Sequence, residues 1–228
     1  MRNGSDCLTL SLRAVVREDC PLCGKTSARS GVCERCHAAL DGARLADGSF
    51  TVETDGEDIR AAAVFRYRND GVKSLLFFLK RRADADVFAD AAVYLAAAVR
   101  KLPLPDGAVF VNVPRGRRAV MKYGFDHAKR LAARAALLCG ARYCRAVGRL
   151  PFGAEQKKLG KSERESNLAG RFYVRPFAAF RLRGATAFVI VDDVTTTGTS
   201  IRETARALRA RFADVPVYAA VLARQIGE

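Results

Sequence analysis

Residues 189–200 read VIVDDVTTTGTS, and this stretch decides the fold. Together with Ala187 and Phe188 it opens on an unbroken apolar run, AFVIV (187–191), the composition of a strand buried on both faces. The predicted strand ends in two acids, Asp192 and Asp193. A run of hydroxyl residues around one glycine follows and leads into a helix predicted over 199–211. A helix N-terminus offers unpaired N–H groups and a partial positive charge. Thr195, Thr196, Thr197, Thr199 and Ser200 add hydroxyls there, and Gly198 lets the backbone close around a phosphate. Two carboxylates just upstream would repel that phosphate. Asp192 and Asp193 are therefore expected to accept hydrogen bonds from the vicinal hydroxyls of a sugar, and phosphate and diol together describe a ribose 5-phosphate. The alternative is that the acids cap the helix and the hydroxyls fill a turn. The stretch carries neither GK[ST] nor GxGxxG, so it is not a P-loop or a dinucleotide fingerprint.

Working outward, strands and helices alternate. AAAVFRY (61–67) reads as a strand, Asn69-Asp70-Gly71 as a turn, and 72–82 and 86–100 as helices by their apolar period. The prolines at 103 and 105 stop the second helix. AVFVNV (108–113) is a buried strand. Asp126 caps a helix over 127–138 that turns Ala128, Leu131, Ala132, Ala135 and Leu138 inward, and VPVYAAVLA (215–223) is a last strand. This alternation predicts an α/β protein with a doubly wound, mostly parallel sheet, whose ligands bind at the carboxyl ends of its strands.

The chain has 228 residues and a net charge of +15. Residues 1–60 carry eight basic and ten acidic side chains, whereas 61–228 carry 31 and 14. The basic field thus belongs to the α/β part, where it attracts polyanions or a small phosphorylated ligand; the plainer reading is a solvated basic surface. The longest apolar runs, such as 75–79, fall far short of the ~20 residues a membrane span needs. The first residues do not resemble a secretory signal, so a cytoplasmic setting is expected.

Seven cysteines are present, four of them as Cys20-Pro-Leu-Cys23 and Cys33-Glu-Arg-Cys36. Two such pairs nine residues apart have zinc-ribbon spacing, and four thiolates close the shell of a structural zinc. A redox CxxC is the competing reading. His37 is expected to be an exposed first-turn residue. Residues 17–45 form the expected ribbon, 41–57 a Gly-rich and acidic hairpin or linker, and 60–228 the main domain.

The 189–200 loop is similar to the signature of type I phosphoribosyltransferases, which bind 5-phosphoribosyl-1-pyrophosphate (PRPP). More narrowly, the chain resembles the ComF family of DNA-uptake competence proteins, in which a zinc ribbon precedes a phosphoribosyltransferase domain. The likeness runs from Cys20 to Arg224. It includes the paired CxxC, Val113-Pro114-Arg115, the block Tyr123-Gly124-Phe125-Asp126-His127-Ala128, and Gln156…Leu159…Arg164…Asn167…Phe172. Family members read Arg-Gly-Phe-Asn-Gln where this chain has Tyr123-Gly-Phe-Asp-His127, so His127 stands open between a ligand to substrate and a polar first-turn residue.

The resemblance implies Mg²⁺ bound with PRPP and pentosyl transfer to an unidentified acceptor. Asp192 and Asp193 would be catalytic, stabilising positive charge on the sugar. Pro114, Arg115, Gly116 and Arg117, with Arg118, would form the pyrophosphate loop; an exposed basic turn is the alternative. Gln156, Lys157, Arg164 and Asn167 would belong to a flap over the site, or to a solvated connection. Three functions compete: an active phosphoribosyltransferase, a PRPP-binding module without turnover, and a single-stranded-nucleic-acid binder. Single-stranded DNA and DNA-uptake proteins are the implied macromolecular partners.

Overall fold

The computed structural model describes residues 18–27, 31–150 and 170–226. A two-stranded antiparallel pair, β1 (Glu18–Asp19) and β2 (Thr26–Ser27), and helix α1 (Glu34–Asp41) form the N-terminal part. There follow β3 (Ser49–Val52), β4 (Ile59–Arg66), α2 (Asp70–Arg81), α3 (Ala85–Val99), β5 (Val109–Asn112), α4 (Arg117–Tyr123), α5 (His127–Leu138), β6 (Arg142–Tyr143) and β7 (Val147–Arg149). The chain continues through β8 (Phe172–Val174), α6 (Pro176–Arg181), β9 (Phe188–Thr195), α7 (Thr199–Arg209) and β10 (Val217–Arg224).

Three helices, α2, α3 and α5, start where a side chain takes up their first amides. Asn69 Oδ1 accepts from Val72 N at 3.2 Å, Asp84 Oδ1 from Asp86 N and Val87 N at 2.9 and 3.0 Å, and Asp126 Oδ1 from Lys129 N at 3.1 Å. Helix α4 stops at Gly124, whose φ of 76° closes a left-handed cap.

Six strands form one sheet in the order β3–β4–β10–β9–β5–β6; β3 is antiparallel to β4 and every other neighbour is parallel. Residues of β9 alternate between two cores. Val189 and Val191 pack with Phe88, Leu95 and Leu131 from α3 and α5. Phe188 and Ile190 pack with Leu208 of α7 and Phe172 of the β7–β8 hairpin. Both faces are thus covered, as a parallel sheet requires. From β5 the chain proceeds through α4 and α5 to β6 on one side; from β9 it proceeds through α7 to β10 on the other. The order therefore reverses between β5 and β9, and the crevice at their carboxyl ends is the ligand position expected of an open α/β sheet. Among the described residues, no helix is long and apolar enough to cross a membrane.

Three expectations need correction. The strand predicted over 187–191 runs on to Thr195, because β10 continues to pair with it through both acids. Leu138 is 42% exposed rather than inward, since it lies in the last turn of α5 beyond the packed surface. The 41–57 stretch is not all linker: β3 pairs with β4 and extends the main sheet. Its register is set at Gly48, where a Cβ would run into the carbonyl of Ala63.

Candidate functional site at the carboxyl ends of β5 and β9

Strand β9 loses its partner on one side at the point where the acids begin. Its ladder with β5 ends at Asn112 opposite Val191, with Val113 N donating to Val191 O at 2.9 Å, whereas its ladder with β10 continues to Thr195 opposite Arg224. Asp192 and Asp193 therefore stand at the mouth of the crevice between the two strands.

The two acids differ. Asp193 is only 4% exposed, while Asp192 is half-buried and uses Oδ1 to accept the N–H of Asp193 at 2.9 Å. Oδ2 of Asp193 lies 2.8 Å from Nζ of Lys80, in the last turn of α2, and Oδ1 lies 3.3 Å from Nε2 of His127, the first residue of α5. Burial alone would push the Asp193 carboxyl up, but His127 and Lys80 together hold it well below the usual carboxylate range. Burial and the adjacent Asp193 charge push Asp192 well above that range. Lys80 is pulled down by burial, but the carboxylate outweighs this and raises it. The pair is thus divided into a fixed anion and a neighbour that resists ionising.

Behind them stands a buried polar chain. Tyr143 donates its hydroxyl to Asn112 Oδ1 at 2.7 Å, and Asn112 Nδ2 donates to Val113 O at 3.0 Å and to Asp126 Oδ2 at 3.4 Å. Asp126 in turn caps α5 and so fixes the turn that carries His127. Lys80, Asn112 and Tyr143 were not singled out as functional in the sequence; Lys80 reads there as one basic residue of an amphipathic helix. His127 is a polar first-turn residue of α5, 7% exposed and packed against Asp193.

After Thr195, which is buried, Thr196 and Thr197 are exposed and Gly198 occupies the cap position of α7 with φ 75°. No side chain caps this helix, so neither acid does so. Thr197 and Thr199 share a hydrogen bond between hydroxyls at 2.9 Å, and Arg202 donates to Thr199 Oγ1 at 3.2 Å. Thr204 donates to the Ser200 carbonyl at 2.7 Å. The loop borders a cavity of about 140 Å³ that also meets β3 and the side chains of Arg202 and Arg224. Gly198 packs so closely on β3 that a Cβ would come within 2.8 Å of Val52 Cγ1.

The 114–118 stretch is not a simple loop. Pro114 is buried, Gly116 caps α4, and Arg117 and Arg118 are exposed on its first turn. The guanidinium of Arg115 donates to Lys80 O at 2.8 Å and to Phe125 O at 3.0 Å, and lies 4.9 Å from the centre of the Tyr123 ring. Burial pulls its pKa down, opposed by Asp126 and Asp193. Arg115 thereby ties the end of α2 to the turn before α5, the two places that supply the partners of Asp193. Gln156, Lys157, Arg164 and Asn167 lie outside the described residues.

At the other end of the chain the Sγ atoms of Cys20, Cys23, Cys33 and Cys36 lie within 4.8 Å of one another. Cys23 and Cys33 are 3.8 Å apart, close to the ~3.8 Å edge of a tetrahedron with Zn–S bonds of ~2.3 Å. The Cys33 amide donates to Cys20 Sγ at 3.4 Å. Burial raises the Cys20 thiol, but the amides of Cys33, Leu22 and Cys23 outweigh it and bring it down to about 6, toward the thiolate that a metal needs. The cluster could hold a structural zinc. His37 is not the exposed residue expected. Its side chain is 19% exposed, with Nδ1 3.0 Å from the Tyr94 hydroxyl and Nε2 3.3 Å from Asp90 on α3. Asp90 also accepts the Val32 amide at 3.0 Å, so one carboxylate anchors the second cysteine knuckle to the main sheet's helices.

Fold and site together define an α/β protein with a mostly parallel sheet, a glycine-capped hydroxyl loop and acid pair at its switch point, and an N-terminal four-cysteine cluster. No family model matches the chain, and no curated protein does. Among solved structures it is similar to an allosteric regulatory enzyme of purine biosynthesis, with 16% identity and a TM-score of 0.40 over 64% of this chain and 30% of that one. It is also similar to the xanthine-guanine-hypoxanthine phosphoribosyltransferase of Helicobacter pylori, with 11% identity and a TM-score of 0.37 over 65% of this chain and 88% of that one. The chain thus spans about a third of the length of the first of these proteins.

Proposed function

We propose that the protein binds PRPP with Mg²⁺ in the crevice between β5 and β9 and belongs with the phosphoribosyltransferases, resembling the ComF proteins of DNA uptake. Residues 17–45 act as a zinc ribbon and 60–228 as the phosphoribosyltransferase-like domain, in a cytoplasmic setting. The observation that carries the reading is the loop after β9. Gly198 leads a helix that has no side-chain cap, hydroxyls surround it, and Asp192 stands upstream with one oxygen unengaged by the backbone. The 5′-phosphate would lie against Thr195–Ser200, with Thr195, Thr196, Thr197, Thr199 and Ser200 offering hydroxyls. Asp192 would accept the ribose hydroxyls, and Asp193, tied to Lys80 and His127, would stabilise positive charge developing on the sugar. Mg²⁺ would ride on the pyrophosphate oxygens. Arg117 and Gly116 would meet the pyrophosphate, with Arg115 acting by holding the loop's surroundings.

The deciding experiment is a melting curve with Mg²⁺ and PRPP. Ligand at 100 times its Kd adds about 2.7 kcal/mol of stability. A rise in melting temperature that Asp192→Asn removes supports the reading; no rise at millimolar PRPP rejects it. Pyrophosphate release with candidate acceptors then separates turnover from binding alone.

A second reading, a single-stranded-nucleic-acid accessory protein, is favoured by one surface. Phe177 and Phe180 on α6 are 90% and 71% exposed, with Arg181 and Arg183 also exposed beside them. Exposed aromatics among arginines suit base stacking along a charged strand. Salt-dependent binding of an oligonucleotide, abolished by Phe177→Ala with Phe180→Ala and indifferent to Asp192→Asn, would support it.

A further inference from the structure

We propose that Lys80 is a pyrophosphate ligand that changes partners: its ammonium leaves Asp193 when PRPP binds and closes on the pyrophosphate. This role rests on the PRPP reading and deepens it, by naming the cation that takes the anionic end of the ligand.

Nζ of Lys80 lies 2.8 Å from Oδ2 of Asp193, so ammonium and carboxylate cancel one another at short range. A carboxylate matched in this way offers little field to positive charge on a sugar. For Asp193 to stabilise such charge, the ammonium must go elsewhere while the ligand is bound. His127 Nε2 stays beside the other oxygen, Oδ1, at 3.3 Å, so the buried carboxylate is not left without a neighbour.

Lys80 is built for the exchange. It lies in the last turn of α2, and its carbonyl accepts from the Arg115 guanidinium at 2.8 Å. The backbone is thus pinned, while the ammonium sits at the end of a flexible four-carbon stem. It carries three N–H donors, and among the described residues its one ion-pair partner is Asp193. The Lys80 side chain is 38% exposed against 6% for that of Asp193, so it reaches solvent where the carboxylate does not.

The other cations near the crevice are placed differently. Both ends of the Arg115 fork are committed to carbonyls, Lys80 O and Phe125 O. Arg117 and Arg118 are exposed on the first turn of α4. A pyrophosphate entering beside Asp192 and Asp193 would meet two carboxylates of its own sign. An ammonium moving from Asp193 to the pyrophosphate turns that repulsion into a charge-assisted contact.

The test is calorimetry of the full chain in Mg²⁺ with PRPP and, separately, with ribose 5-phosphate, which lacks the pyrophosphate. The readout is the preference for PRPP over ribose 5-phosphate. Lys80→Gln should cut that preference about tenfold or more, the worth of a charged hydrogen bond. Ligand-free melting curves show whether the variant folds. Should it not, Lys80→Gln combined with Asp193→Asn leaves no charge unpaired and carries the same comparison. A folded variant that keeps the preference overturns the inference. So does a loss shared equally by both ligands, the mark of a merely structural role, or equal affinity of the wild type for the two. A wild type that binds neither ligand rejects the PRPP reading itself, and this role with it. A wild type that prefers PRPP, beside a variant that prefers it as strongly, rejects the role of Lys80 alone.

Discussion

The ammonium of Lys80 lies 2.8 Å from a carboxylate oxygen of Asp193, and this contact makes the two neighbouring acids unequal. Asp193 is buried as an anion with a cation and an imidazole beside it, whereas Asp192 has no cation in direct contact among the described residues. Asp193→Asn should therefore cost on the order of 2 kcal/mol, less than the roughly 3–5 of a fully buried pair because Lys80 is partly hydrated. Asp192→Asn should cost nothing or stabilise. Urea midpoints of the two variants check this; equal losses would mean that the Lys80 contact contributes no specific support.

The same asymmetry sets opposite responses to pH when no divalent ion is added. Asp193 titrates below its unfolded value of about 3.9, so its contribution is present above that pH and is lost as pH falls through the folded value. Asp192 titrates above its unfolded value, so the folded state binds the extra proton and stability falls as pH rises from about 4. Asp192→Asn should thus gain on the wild type at pH 7 and match it near pH 3. Melting curves at the two pH values read the difference directly.

Gly198 combines a left-handed φ of 75° with a close approach to Val52. Gly198→Ala should lose about 2 kcal/mol, from the backbone cost and the overlap together. Val52→Ala removes the overlap but not the backbone cost. In a double-mutant cycle the two changes should therefore be less damaging together than their sum. Strict additivity in thermal melts would show that β3 does not brace the loop.

Much of this arrangement was legible before any coordinates. The strands β4, β5, β9 and β10 are apolar runs, α2, α3 and α5 follow an apolar period, and Asp126 reads as the cap of α5, as it is; the caps at Asn69 and Asp84 emerge only from the structure. The runs and the periods are local signals. The short elements β3, α4 and α6 and the β7–β8 hairpin were not legible, because elements of a few residues owe their form to what they pack on. Within the site, the acids, hydroxyls and Gly198 are contiguous and could be read together. Lys80 could not, and Arg115 was legible only as a pyrophosphate-loop residue and not as a brace, since their partners are distant in the chain: Arg115 reaches a carbonyl 35 residues away, and basic residues abound in this part of the sequence. His37 misled for the same reason, its partner Tyr94 being 57 residues away.

Arg115 offers a sharp discrimination between support and ligand binding. Its guanidinium reaches two carbonyls, Lys80 O and Phe125 O, from one planar fork. Lysine keeps the charge but not the fork. Arg115→Lys should lower stability by about 2 kcal/mol, one charged hydrogen bond's worth, in the absence of any ligand. An unchanged urea midpoint with weakened PRPP binding would instead make Arg115 a direct ligand of the pyrophosphate.

The cysteine cluster and Asp90 should act as one unit. Cys20, Cys23, Cys33 and Cys36 converge within 4.8 Å, and Asp90 ties Val32 and His37 to α3. Stripping zinc with a chelator, or Cys36→Ser, should abolish amide-exchange protection across α1 and the cysteine turns first. The strands β9 and β10 should stay protected, since both are central in the six-stranded sheet with a paired strand on each side. Asp90→Asn leaves the four thiolates in place and should keep one zinc per chain. It should still speed exchange at the Val32 amide, which loses a charged acceptor. Metal analysis alongside exchange mass spectrometry separates the two effects. Identical exchange in metal-loaded and metal-free protein would mean that the four cysteines hold no ion that matters to the fold.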